Sequence, residues 1–122
     1  MRQETTLLQG ARWLTAAVLS VCAMAAHAQA YPAGPVTPGG KLWTYLDNYP
    51  NLWCDLSAGS ALNAISRDPA VGRKFLLRYP DRCLFARDYF DGRLHEFIRA
   101  CKLPDAVYRK IMSGNALRLV PA

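Results

Sequence analysis

Histidine is nearly missing from this 122-residue chain, which carries only His27 and His95. Imidazole is the commonest metal ligand and the side chain best placed to move protons near neutrality, so this sequence cannot assemble a histidine-built catalytic or metal centre by itself. Its longest apolar stretch, Trp13 to Ala26, covers 14 residues, short of the ~20 that a permanent membrane-crossing helix needs. The four cysteines, Cys22, Cys54, Cys83 and Cys101, show no zinc-motif spacing. Acidic residues are outnumbered, nine against fifteen Lys and Arg, for a formal charge of +6. Arg67, Arg73, Lys74, Arg78, Arg82 and Arg99 are nevertheless spread over several segments and accompany no nucleic-acid module. They are expected to be solvated faces, with no nucleic-acid partner.

The N-terminus has the outline of a secretory signal peptide. Arg2 and Arg12 flank a charged start, Trp13 to Ala26 is the apolar core, and Ala26-His27-Ala28 or Ala28-Gln29-Ala30 puts small residues where signal peptidase reads. Residues 1–30 are therefore expected to be removed, residues 31–122 to form the mature chain, and the protein to be exported to a periplasm or secreted. An uncleaved anchor is the alternative and the only membrane contact expected. Leu19-Ser20-Val21-Cys22 hints at a lipoprotein box, but Val21 is bulky where a small residue is needed. The mature chain would hold thirteen basic and eight acidic residues and three cysteines, Cys54, Cys83 and Cys101. Export permits one disulfide with one thiol left over; three buried thiols account for the same residues equally well.

Beyond the leader, strand and helix signals alternate, which predicts an α/β fold. Tyr31 to Gly40 holds three prolines and three glycines, an irregular entry. Leu42, Tyr45, Leu46 and Tyr49 recur at helical spacing before Pro50. Leu52 to Ser57 follows as a strand opening into the small-residue loop Ala58-Gly59-Ser60. Asp68-Pro69 is a helix start with Asp as N-cap and Pro in the first turn, and Val71, Phe75, Leu76 and Tyr79 form its buried stripe. Cys83 to Phe90 is an apolar run ending in one carboxylate, Asp88. Alternation puts Leu84, Ala86 and Asp88 on one face and Cys83, Phe85 and Arg87 on the other. Apolar bulk on both faces suits a parallel strand covered on both sides, with polarity only at its carboxyl end, where α/β barrels gather their catalytic groups. Leu94, Phe97, Ile98 and Cys101 mark a helix stopped near Pro104; Val107, Ile111 and Met112 mark another, broken by Gly114-Asn115 before a closing turn or helix. His95 lies off the apolar stripe and is expected to be a solvated surface residue. Asp55 shares a strand face with Trp53 and Ser57, and a partnered structural carboxylate is favoured over a ligand for it.

Four stretches in register carry a family likeness: Tyr31 to Gly40, Tyr49 to Ser60, Leu84 to Phe90 and Gly114 to Leu119. Together they resemble the C-terminal portion of the amidohydrolase-related family, metal-dependent (β/α)8 barrels that hydrolyse or decarboxylate small organic molecules. The resemblance implies an incomplete barrel containing the last two strands and their helices. It implies a divalent metal, zinc or manganese, as cofactor, and a small-molecule substrate once the missing barrel half is supplied. It assigns Asp88 the role of the eighth-strand carboxylate, a catalytic and metal-facing residue that accepts the proton released by an activated water. The family commonly has Gly-Thr or Gly-Ser before that Asp, where this chain has Ala86-Arg87.

The family's His-x-His pair and its middle-strand histidines have no counterpart here. Metal sites of this kind need about three protein ligands, and Asp88 supplies one, so activity in isolation is not expected. A full barrel takes roughly 250 residues, and leaving about four large inner side chains uncovered forgoes roughly 1.5 to 3 kcal/mol each. A signal segment running straight into the end of an enzyme implies an internal deletion, a nonfunctional remnant or a misassigned reading frame. The competing reading is a small secreted α/β interaction module that docks through strand edges and the aromatic patches at Trp43 and Trp53.

Overall fold

A computed structural model describes residues 33–37, 40–88 and 90–120. The expected signal segment 1–30, with His27 and Cys22, and most of the entry loop's ends (Tyr31, Pro32, Pro38, Gly39) lie outside the described residues, as does Tyr89. Among the described residues no helix is long and apolar enough to cross a membrane.

The architecture is a helix-rich α/β arrangement around a two-stranded parallel sheet, compatible with part of a barrel. In chain order it runs α1 (Lys41–Asn48), β1 (Cys54–Asp55), α2 (Gly59–Ser66), α3 (Pro69–Arg78), β2 (Cys83–Leu84), α4 (Arg93–Ala100), α5 (Asp105–Arg109), a π-helical turn over Lys110–Gly114, and α6 (Asn115–Leu119). Parallel strands cannot be joined by a hairpin, and here α2 and α3 make the crossover. The register pairs Cys54 with Cys83 and Asp55 with Leu84. Both strands are shorter than the expected Leu52 to Ser57 and Cys83 to Phe90. The ladder is flanked by Cys54 N–H to the Arg82 carbonyl (2.7 Å) and Leu56 N–H to the Leu84 carbonyl (3.0 Å), while Phe85 N–H turns to the carbonyl of Ile111 in the π-turn (3.0 Å). Past Phe85 the chain leaves the sheet, and Ala86, Arg87 and Asp88 are all exposed, so the expected alternation of faces ends there.

The crossover is built as its residues dictate. Asp68 caps α3, one carboxylate oxygen accepting from Val71 N–H (3.2 Å) and the other from Val36 N–H of the entry segment (3.1 Å), with Pro69 in the first turn. Helix α2, which begins inside the expected small-residue loop Ala58-Gly59-Ser60, lies so close to α3 that a Cβ on Gly72 would stand 1.8 Å from the Ile65 carbonyl oxygen. Only glycine fits there. Phe75, Leu76 and Tyr79 of the expected α3 stripe are buried and Val71 is half-buried.

Of the stripe expected for helix α1, only Leu46 is buried. Leu46 is buried and Trp43 half-buried, while Leu42, Tyr45 and Tyr49 are exposed at 46, 48 and 56 %. Its rotation is set by α3. The Tyr79 hydroxyl donates to Asp47 Oδ1 (2.8 Å) with the Trp43 carbonyl 3.2 Å away, and Arg78 Nη2 donates to Asp47 Oδ2 (2.9 Å). Trp43 packs edge-on against Phe75 and Tyr79, centroids 5.5 and 5.7 Å apart, contacts worth about 0.5 to 1.5 kcal/mol each beyond area burial. Trp43 and Trp53 are thus not the exposed patches expected of a docking surface: the first sits in this cluster and the Arg118 guanidinium stacks over the second at 5.0 Å. Arg73, Lys74, Arg78 and Arg99 are exposed, as expected of solvated faces, yet some basic residues also act as fasteners. Arg82 Nη1 donates to the carbonyls of Tyr49 (3.0 Å) and Leu52 (2.8 Å), and Arg73 Nε to that of Cys101 (2.8 Å).

Leu76, Ile98, Ile111 and Cys83 are the most fully buried large side chains, so the core lies where α3, α4 and the π-turn meet β2. Asn115, 2 % exposed, donates from Nδ2 to the carbonyls of Pro80 (2.8 Å) and Cys83 (2.9 Å). This side chain corrects the expected break at Gly114-Asn115. Gly114 keeps right-handed helical angles, and the helix runs through the π-turn into α6 because Asn115 is anchored from within it. The three cysteines among the described residues are free thiols, Cys83 and Cys101 buried and Cys54 half-buried.

Candidate functional site

The carboxyl ends of β1 and β2 open on the same side, and their loops enclose a small cleft. Ser57, Ala58 and Gly59 line it after β1, Ala86, Arg87 and Asp88 after β2, and Asp91 and Arg93 at the start of α4. Asp88 is exposed on this rim and makes no hydrogen bond or ion pair among the described residues. Arg87 also reaches the rim, one of the two orientations open to an arginine at that position.

The other carboxylates nearby are engaged. Asp91 accepts from Arg93 Nε (2.7 Å) and Nη2 (2.6 Å) through one oxygen, and its other oxygen faces Arg93 N–H at 3.3 Å. The guanidinium bonded to it holds Asp91 below the usual carboxylate range, with Arg87 adding to the effect. Asp55 accepts from Ser57 N–H (2.8 Å) and Ser57 Oγ (3.0 Å), the partnered structural role expected for it. Among the described residues Asp88 is the cleft carboxylate with both oxygens unengaged, and Arg87 and Arg93 line the same cleft. Such a rim can take a proton at Asp88 and bind an anionic oxygen through Arg87 or Arg93. Arg93 and Asp91 were not legible as site residues. Their signal is their place in the loop and first turn after a parallel strand.

The cleft holds about 60 Å³, whereas small-molecule sites occupy roughly 300 to 1,000 Å³. A larger groove of about 390 Å³ lies between the start of α3 and the end of α4, but it is mostly apolar and none of the strand-end loop residues line it. It offers no acid or base suited to chemistry, and the smaller cleft is the better candidate. His95 belongs to neither. Its Nε2 lies 3.0 Å from the Tyr108 hydroxyl and its ring sits against Phe85, centroids 6.0 Å apart, so it joins α4 to α5 and β2 rather than pointing into solvent.

A family model described as Amidohydrolase matches residues 24–122. No curated protein and no solved structure was found to match the chain. That family generally uses divalent metals, and the rim does not fit one. Among the described residues no three His, Cys, Asp or Glu side chains converge to hold an ion, and Asp91, the other acid lining the cleft, already spends its oxygens on Arg93.

Proposed function

Because the chain belongs to the amidohydrolase family, we propose that it is the C-terminal part of a metal-dependent hydrolase or decarboxylase of small organic molecules, with Asp88 as its contribution to the reacting centre. The observation that carries this reading is the position of Asp88: in the loop that follows the carboxyl end of a parallel strand, lining the cleft between two strand ends, with both oxygens unengaged among the described residues. Catalytic acids and bases of α/β barrels stand at such a rim, and a free carboxylate there accepts a proton from an attacking water. Arg87 and Arg93 add cationic donors for an oxygen that gains charge. On this reading the chain alone turns over no substrate, since the ligand set is incomplete and the cleft too small. Export behind residues 1–30 is part of the same proposal.

A second reading, a secreted interaction module, draws support from one feature, the exposed Leu42, Tyr45 and Tyr49 face of α1. Calorimetric titration of zinc and of manganese into the full chain and into Asp88→Ala separates the possibilities. Neither protein is expected to bind either ion tightly. Tight one-to-one binding by the chain alone, lost in Asp88→Ala, would overturn the claim of an incomplete site. Co-expression with a polypeptide carrying the family's His-x-His strands is expected to restore tight binding. Binding restored equally with Asp88→Ala would remove Asp88 from its assigned role.

A further inference from the structure

Cys54 and Cys83 stand opposite one another in the register of the two parallel strands. Neighbouring strands lie about 4.8 Å apart, within the roughly 4.4 to 6.8 Å between Cα atoms that a disulfide spans. Residues paired across a ladder point their side chains to the same face. Cys101 follows the last turn of α4, where the Arg73 guanidinium occupies its carbonyl, and it has no such partner in register. From this juxtaposition we propose that Cys54 and Cys83 are an oxidisable dithiol, a modification site that closes to one disulfide and staples β1 to β2, leaving Cys101 as a thiol.

The two sulfurs have unequal access. Cys83 is 0 % exposed and Cys54 is half-buried, so a small oxidant meets Cys54 first. With oxidised glutathione, the Cys54 thiolate attacks one sulfur of the reagent, forms a mixed disulfide and expels one glutathione thiolate. Cys83 then gives up its proton to solvent and attacks the Cys54 sulfur, expelling the second glutathione. Two electrons and two protons leave the protein pair, and one molecule of oxidised glutathione becomes two of the thiol. Burial pushes the Cys54 thiol up to about 11, and the Cys83 thiol is raised by burial and then by the charge of Cys54. The first step is therefore slow at neutral pH and quickens about tenfold per pH unit.

The test is incubation of the full native chain with oxidised glutathione at pH 9, followed by alkylation in denaturant, tryptic digestion and mass spectrometry. The expected product joins peptide 42–67, which holds Cys54, to peptide 83–87, which holds Cys83, with Cys101 alkylated in peptide 100–102. The product melts higher than the reduced chain by roughly 10 °C or more. An unfolded chain would favour the shorter loop between Cys83 and Cys101, so the identity of the linkage shows whether the native register made it. Linkage of Cys54 or Cys83 to any other cysteine, glutathione persisting on Cys54 while Cys83 stays alkylatable, or no reaction overturns the proposal. Cys83→Ser is expected to stop at the mixed disulfide on Cys54. Should that variant fail to fold, Cys54→Ser at the half-buried position decides, since it should leave Cys83 unreacted in the native protein.

Discussion

Cys83 and Asp88 lie five residues apart on one run of chain and differ in everything that packing controls. Around Cys83 the protein is closed. Leu76, Ile98 and Ile111 are nearly or fully buried, Asn115 satisfies two carbonyls from inside, and Gly72 allows two helices to touch backbone to backbone. Around Asp88 it is open: Ala86, Arg87 and Asp88 are exposed, the cleft is small, and the nearest organised group is a surface ion pair between Asp91 and Arg93. The end of the sheet that holds the chain together is thus well supplied with partners, and the end that would do chemistry is not. A frame of this kind retains its shape for reasons independent of any reaction at its rim, so folding and activity should be separable by mutation.

The largest expected effect lies on the closed side. Gly72→Ala places a methyl group against the Ile65 carbonyl and should cost about 3 kcal/mol or more in chemical denaturation; a loss below about 1 kcal/mol would show that α2 and α3 separate easily. Asn115→Ala removes both hydrogen bonds to the start of β2 and should cost about 2 to 3 kcal/mol. A neutral result would mean that the Pro80 and Cys83 carbonyls find water, and that the closed region is less closed than described.

Alkaline pH sharpens the same contrast. Burial raises the Cys54 thiol to about 11 and raises Cys83 and Cys101 as well. The folded state therefore favours the protonated form. Stability is intact below the unfolded thiol value of about 8.5 and is lost as pH rises through the folded values. Melting temperature measured from pH 7 to 11 should fall on the alkaline side, and Cys54→Ala should flatten the fall. The smallest effect belongs to the rim: Asp88→Ala should change stability by no more than about 0.5 kcal/mol. A loss several times larger would make Asp88 a structural residue.

Local chemistry was the legible part of the fold. Asp68-Pro69 announces a helix start through two side chains that act within one turn, and α3 begins there. Leu94, Ile98 and Cys101 mark the inner face of α4 because helical periodicity admits only one apolar stripe in that segment. Helix α1 admits two that share Leu46, and choosing between Leu42/Tyr45/Leu46/Tyr49 and Trp43/Leu46 depends on Asp47 meeting Tyr79 and Arg78 some thirty residues away. Gly114-Asn115 looks like a terminator by propensity, and tertiary hydrogen bonds to β2 override it. Gly59 to Ser66, small and weakly amphipathic, gave no strong helix signal, and its conformation follows from the contact with Gly72. At the site, the apolar run predicted a strand reaching Asp88, but the strand ends at Leu84 and Asp88 stands beyond it on the rim of the cleft. The pairing of Asp91 with Arg93 is local and follows from their spacing, whereas the turn of His95 toward Tyr108 depends on how α4 is seated, which no spacing in the sequence encodes.

Asp68 divides its two oxygens between amides that are thirty-five positions apart, Val71 in the first turn of α3 and Val36 in the entry segment. Solvent access at these two sites is consequently linked through one side chain. Asp68→Ala should speed hydrogen exchange at Val36 and Val71 together, whereas Asp68→Ser, whose single hydroxyl can serve only the nearer amide, should protect Val71 and release Val36. The entry peptide is in this sense a tether whose knot is tied inside the crossover, and untying it loosens the helix start as well.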